Sequence, residues 1–78
     1  MRVLVIDGQG GKVGAQLVSG IRERLPGARV TAVGTNAMAA AALRKAGADA
    51  AATGENAVIV ACRTADVIVG PVGIVIAD

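Results

Sequence analysis

The stretch that decides the fold is Val3–Gly14, which reads VLVIDGQGGKVG. Its first four residues, Val3–Ile6, are continuously apolar, as expected of a strand buried on both faces of a parallel sheet. A glycine-rich turn follows, and from Gly11 to Leu25 apolar residues recur every four positions, which is the period of an amphipathic helix. The sequence therefore predicts a strand, a tight turn and a helix in direct succession.

The first helix is predicted to bury one apolar stripe and to stop at Pro26–Gly27. The residues of that stripe are Val13, Leu17, Ile21 and Leu25. Polar residues lie mostly on the other faces of the helix, Arg22 among them.

The rest of the chain repeats this alternation. Further strands are predicted at Val30–Val33, Ala48–Ala52 and Val67–Val69. Further helices are predicted at Ala37–Ala46, capped by Asn36, and from Glu55 to about Thr64, capped by Thr53. The last segment has two interpretations, because Pro71 suits the first turn of a helix and Ile74–Ile76 suits a strand.

Alternation of strands and helices predicts an α/β fold with a parallel sheet, right-handed crossovers and helices on both faces. We expect a three-layer, Rossmann-like arrangement with strand order 3-2-1-4. Residues 1–78 would form a single domain. Because a domain of this size buries little surface and the set of helices on the second face is incomplete, we expect either the N-terminal part of a longer chain or a homo-oligomer.

The composition excludes several kinds of chemistry. The chain has no His, no aromatic residue and a single cysteine, Cys62. It therefore has neither the ligands for a structural zinc site nor the base of a Ser/His or Cys/His pair, and we predict no metal. Cys62 shares a helix face with Val58 and Ile59, and all three are predicted to face the sheet. We therefore interpret Cys62 as a small buried hydrophobic residue.

Charge and hydropathy argue against two classes of partner, nucleic acids and membranes. The net charge is +2 and no basic run exceeds two residues, which disfavours nucleic acid. Mean hydropathy is +0.62, but the longest uncharged apolar stretch, Val67–Ala77, is interrupted by glycine and proline and is shorter than the roughly 20 residues of a spanning helix. With no signal peptide recognisable, we expect a cytoplasmic protein with no membrane partner.

The glycine-rich turn is the main candidate for ligand binding. Glycines allow a close approach of backbone N–H groups to a phosphate, and the helix N-terminus adds partial positive charge. The dinucleotide pattern G-x-G-x-x-G is matched imperfectly, since Val13 occupies the third glycine position when the pattern starts at Gly8. The P-loop pattern fails, because Val13 follows Gly11-Lys12. The alternative is a tight turn that binds nothing.

The loops after the four strands meet at one edge of a parallel sheet, where ligands bind. All four contain glycine, and we predict a ligand crevice there, although turns in small α/β proteins need glycine in any case. The predicted binding residues are Asp7, Gly8, Gln9, Gly10, Gly11, Lys12, Gly34, Thr35, Asn36, Thr53, Glu55, Asn56 and Gly70.

The nature of the ligand is less defined. The end of the second strand, Gly34-Thr35-Asn36, lacks the acidic residue that holds the ribose in NAD sites. The identity of the ligand is therefore left open between NAD(P) and another nucleotide. Asp7 could bind a ribose or a metal-bound phosphate, or cap the turn. Glu55 could be a base or simply a carboxylate favoured at a helix N-terminus. No catalytic residue is assigned.

Several motifs resemble an uncharacterised bacterial family of small Rossmann-like proteins that carry a domain of unknown function. They are Val5–Gly11, Gly34–Ala37, Ala46–Asp49, Ala52–Ala57 and Gly70–Ile74. The resemblance covers the whole chain, implies the fold and a chain that continues past Asp78, and implies no activity.

The leading hypothesis is binding of a nucleotide or another small phosphorylated ligand by the glycine-rich loop. The alternative is a non-catalytic interaction module that forms a homo-oligomer without a nucleotide ligand. A third hypothesis is an enzyme for a small phosphorylated or carboxylated substrate, with Glu55 or Asp7 as the base.

Overall fold

The computed structural model describes residues 1–8, 10–70 and 73–76. Strands and helices alternate from the first residues onward. They are β1 (Arg2–Ile6), α1 (Lys12–Arg24), β2 (Arg29–Gly34), α2 (Ala37–Lys45), β3 (Ala50–Thr53), α3 (Glu55–Cys62), β4 (Val67–Gly70) and β5 (Gly73–Ile76). No helix in these ranges is both long enough and apolar enough to cross a membrane.

The strands form one sheet in the order β3-β2-β1-β4-β5. The first four are parallel, with Val3 opposite Val30 on one side and Val67 on the other, whereas β5 pairs antiparallel with β4. The Rossmann-like α/β class and the order 3-2-1-4 are therefore confirmed, with a fifth strand added. The strand interpretation of Ile74–Ile76 is correct, and Pro71 lies outside the described residues.

Helices α1 and α2 pack together on one face of the sheet. The side chains of β1 and β2 that point to this face, such as Val5 and Val30, join Val18 of α1 and Leu43 of α2 in a fully buried core. Right-handed crossovers place α3 on the other face, where it contacts β1, β2 and β3.

The buried stripe of α1 differs from the predicted one. Val13 and Leu25 are about half exposed, Leu17 and Ile21 are half-buried, and the fully buried positions are Gly14 and Val18. Gly14 is buried because the first turn of α1 lies against Leu43 of α2 and against Asp7, and a hydropathy pattern does not mark a glycine as a buried position.

Arg22, predicted on a polar face of α1, instead ties that helix to two loops. Its guanidinium donates to the Ala28 carbonyl at 2.6 Å and the Gly47 carbonyl at 2.7 Å, and it forms an ion pair with Asp49. The Asp49 carboxylate also accepts the Val30 N–H at 2.7 Å. That hydrogen bond, followed by the Arg22 charge, lowers the pKa of Asp49 against the opposing effect of desolvation.

Two predictions for the third strand and helix are wrong, namely the Thr53 cap and the burial of Ile59 and Cys62 against the sheet. The strand begins at Ala50 and includes Thr53, which is opposite Gly34 in the sheet, so Thr53 does not cap the helix. Gly54 takes the N-cap position with a φ of 98° and no side-chain hydrogen bond. In α3, Ile59 is 51% exposed and Cys62 is only half-buried, because the described elements that pack against this short helix are the strands on its inner side.

Candidate functional site

A cleft of about 250 Å³ opens at the carboxyl edge of the sheet, between the ends of β1 and β2 and the start of α3. It is lined by Ile6, Asp7, Gly8, Val33, Gly34, Thr35, Gly54, Glu55 and Val58. Ile6 and Val33 are opposite each other in the sheet and belong to the face that α3 covers. The cleft therefore has an aliphatic floor, backbone at three glycines, and polar groups at its rim.

The structure brings together five of the residues that the sequence assigned to a crevice, namely Asp7, Gly8, Gly34, Thr35 and Glu55. Outside the lining are Gly10, Gly11, Lys12, Asn36, Thr53, Asn56 and Gly70. Gln9 lies outside the described residues. Among the lining residues that the sequence analysis missed, Ile6 and Val33 each stand near the end of a predicted buried strand, which is the signal that could have found them.

The glycines of the predicted phosphate loop divide into two kinds. A Cβ on Gly11, whose φ is 94°, would lie 2.9 Å from Ala39 Cα, and a Cβ on Gly14 would lie 2.8 Å from Asp7 Cβ. These two glycines permit close packing of α1 against α2 and β1. By contrast, a Cβ on Gly8 or Gly10 would meet no atom of the described residues within 4 Å. The backbone at Gly8 and Gly10 is therefore accessible to a ligand.

Gly34 at the end of β2 serves packing in the same way. A Cβ there would lie 2.8 Å from Ala39 Cβ and 2.9 Å from the Ala40 nitrogen. The start of α2 thus sits directly against the end of β2, and this contact fixes one wall of the cleft.

Asn36 is used by the fold. Its side-chain oxygen accepts a hydrogen bond from the Ala39 N–H at 2.8 Å, so the predicted cap of α2 is confirmed. This hydrogen bond holds the amide at the helix start, outside the cleft lining.

Asp7 differs in position from a free loop carboxylate. It is 2% exposed, and its Oδ2 would lie 3.0 Å from a Cβ on Gly14. Its backbone N–H donates to the Val33 carbonyl at 2.9 Å. The carboxyl group is therefore packed beneath the first turn of α1.

The polar groups that remain accessible in this region are few. Glu55 and Thr35 are exposed at the rim of the cleft, and Lys12 is exposed in the first turn of α1. Within the described residues, no group of three or more His, Cys, Asp or Glu side chains could hold a metal ion. The arrangement provides backbone donors, one exposed carboxylate, one hydroxyl and aliphatic walls, which suits binding by shape and hydrogen bonds.

Comparisons with known proteins agree with the resemblance inferred from the motifs. No curated protein and no solved structure shows significant similarity to the chain. A family model described as Domain of unknown function (DUF3842) matches residues 2–78, and the chain therefore belongs to that family.

Proposed function

We propose that the chain binds a nucleotide or dinucleotide at the carboxyl edge of the sheet, with the glycine-rich loop holding the phosphate groups. The observation that carries this proposal is the open space around Gly8 and Gly10. Gly11, Gly14 and Gly34 are explained by packing, but nothing in the described fold requires glycine at these two positions. A phosphate approaching the backbone would require it.

The position of the loop supports the same proposal. It leads into the N-terminus of α1, whose first turn contains Lys12 and no acidic residue. The N–H groups at a helix N-terminus and the helix dipole both favour an anion, and a phosphate here would share this position with the Asp7 carboxyl group that packs beneath the same turn. The nucleoside would then lie in the cleft against Ile6, Val33 and Val58, with the exposed carboxylate of Glu55 at the rim near its hydroxyl groups.

The test is a thermal-shift screen with NAD(H), NADP(H), FAD, ATP and S-adenosylmethionine. A ligand at 100 times its Kd stabilises the folded state by about 2.7 kcal/mol, so a bound nucleotide will raise the Tm. The variant Gly10→Asp places a carboxylate beside the phosphates, and we expect it to abolish the shift without unfolding the chain, because its side chain enters open space.

Gly27→Asp is the matched control. Gly27 is exposed in the turn after α1, and a Cβ there also meets no atom within 4 Å. The proposal fails if no nucleotide raises the Tm, or if Gly10→Asp responds to nucleotide as Gly27→Asp does.

A second candidate function is self-assembly, favoured by exposed apolar side chains on β5 and on α3. Ile74, Val75 and Ile76 are each more than 60% exposed, and Ile59 and Val60 are about half exposed. Among the described residues, β5 is hydrogen-bonded to β4 alone, so its other edge is free to pair with another strand. Since β5 has no charged residue, two copies could pair antiparallel without repulsion.

Light scattering coupled to size-exclusion chromatography tests self-assembly directly. We expect a dimer that the substitution Val75→Lys dissociates, with Arg44→Lys on the exposed end of α2 as a control. A monomer at all concentrations would exclude this candidate.

A further inference from the structure

A second cavity, of about 220 Å³, lies at the amino edge of the sheet, on the same face as α3 but at the opposite end of that helix. The residues relevant to its chemistry are Arg2, Leu4, Arg29, Thr31, Ala61 and Thr64. It shares no residue with the carboxyl-edge cleft.

Two arginines stand side by side at this cavity. Arg2 of β1 is directly opposite Arg29 of β2 in the parallel register, so the two side chains leave the sheet on the same face. Neighbouring strands are about 4.8 Å apart, and like charges directly opposite each other destabilise a sheet. The pair therefore favours a negative charge placed between them.

The described residues supply that negative charge only in part: Asp49 lies near enough for the charge of Arg29 to help lower its pKa, and the carbonyl end of α3 carries a partial negative charge. Neither guanidinium makes a hydrogen bond or ion pair with a described residue, whereas Arg22 donates to two carbonyls and to Asp49. The nearby carboxylates have other partners, since Asp49 is paired with Arg22 and Asp66 accepts the Arg2 backbone N–H at 2.7 Å.

Hydroxyl groups complete the polar side of the cavity. Thr31 is two residues after Arg29 and on the same face of β2, and Thr64 follows the last turn of α3. The Thr64 hydroxyl contacts the Ala61 carbonyl at a long 3.5 Å, so it can rotate toward a better partner. Leu4 is 1% exposed and supplies an apolar floor.

From these observations we propose that the amino-edge cavity is a second binding site, for a small molecule with a phosphate monoester group. The two guanidinium groups would hold the phosphate oxygens, since planar, forked donors match this geometry. Thr31 and Thr64 would donate further hydrogen bonds, and the remaining volume would take a compact substituent.

The experiment is an NMR titration of the whole chain with inorganic phosphate, at ionic strength held constant with chloride. We expect saturable shifts of the Thr31, Ala61 and Thr64 amides. Loss of one charged hydrogen-bonding partner weakens binding about tenfold or more, so Arg29→Gln will raise the Kd for phosphate by at least about that factor. Arg44→Gln, an exposed arginine at the end of α2, is the matched control and will leave the Kd unchanged.

Further readouts separate this site from the glycine-rich loop and from a structural role. Gly10→Asp will leave the amino-edge titration intact even if the proposed nucleotide site is lost. In low salt without phosphate, Arg29→Gln will raise the Tm, because it relieves repulsion from Arg2. The proposal would be overturned by shifts that do not saturate or by shifts confined to Gly8 and Gly10. A lower Tm for both Arg29→Gln and Arg2→Gln would also overturn it, because it would mean that the two arginines stabilise the carbonyl groups at the end of α3.

Discussion

On one face of the sheet, α1 and α2 lie so close to each other and to the ends of β1 and β2 that glycine is needed at positions 11, 14 and 34. Val5, Val18 and Leu43 are completely buried on this face. On the other face, α3 is a helix of eight residues with none of them fully buried. The first face behaves as the core of the protein. The second leaves space at both ends of α3, and each of the two cavities lies at one of those ends.

This difference indicates how a chain without His or aromatic residues can be stable and still leave room for the two ligands that we propose. Close packing on the α1/α2 face supplies burial of aliphatic groups, which is the main favourable term in folding. The short α3 covers the middle of β1 and β2 and leaves the two edges of the sheet accessible. The buried core thus lies on one face of the sheet, and both proposed binding sites lie on the other.

The largest effect is expected from truncating one side chain on each face of the sheet. Leu43→Ala removes a fully buried side chain from α2 and will lower the free energy of unfolding by about 2–5 kcal/mol. Ile59→Ala on α3, where the side chain is half exposed, will change it by only about 0.5 kcal/mol. Urea denaturation measures both, and equal losses would refute the distinction between the faces.

A smaller effect is expected from glycine substitutions within α1. In Gly14→Ala the new Cβ would lie 2.7 Å from Leu43 Cδ2 and 2.8 Å from Asp7 Cβ, so overpacking will cost about 1–3 kcal/mol. Gly20→Ala has the same helix and the same chemical change, but its Cβ meets nothing within 4 Å. We expect it to stabilise the chain by up to about 1 kcal/mol. If the thermal shifts of the two variants have the same sign, close approach of α1 is not what fixes Gly14.

The smallest effect concerns Asp49, which anchors the C-terminal end of α1 through Arg22. Because its pKa is lowered in the folded state, Asp49 stabilises the fold above its unfolded pKa of about 3.9. This contribution is lost as the pH falls through the lower folded pKa. Asp49→Asn will therefore destabilise the chain near neutral pH and flatten the stability profile below about pH 4.

The control for that prediction is Glu23→Gln, an exposed carboxylate one residue from Arg22. Chemical denaturation across the acid range will show the wild-type slope in this variant. An unchanged slope in Asp49→Asn would show that the ion pair does not couple to folding.

Much of the fold could be predicted from local patterns. The apolar run Val3–Ile6, the glycine-rich turn after it and the Asn36 cap each have a local physical cause, and the structure contains all three. The errors arose where a residue's role depends on a distant partner. Arg22 was placed on a polar face because its partners, Ala28, Gly47 and Asp49, lie in other segments.

The candidate site shows the same limit. The rule that loops meet at the carboxyl edge of a parallel sheet correctly grouped Gly8, Gly34, Thr35 and Glu55. It could not distinguish glycines beside open space from glycines that pack against another segment, because the sequence does not show what surrounds a glycine. The amino-edge pair of Arg2 and Arg29 was missed altogether, since 27 positions separate them and only the strand register brings them together.

By itself, then, the sequence determined the alternation of strands and helices, the strand order and the absence of His and aromatic chemistry. Those properties follow from hydrophobic period, capping and composition, which act over a few residues at a time. Only the tertiary structure decided that Gly11, Gly14 and Gly34 serve packing, that Asp7 is buried, and that α3 leaves two cavities. Distances between segments remote in the chain set these features, and no local pattern encodes them.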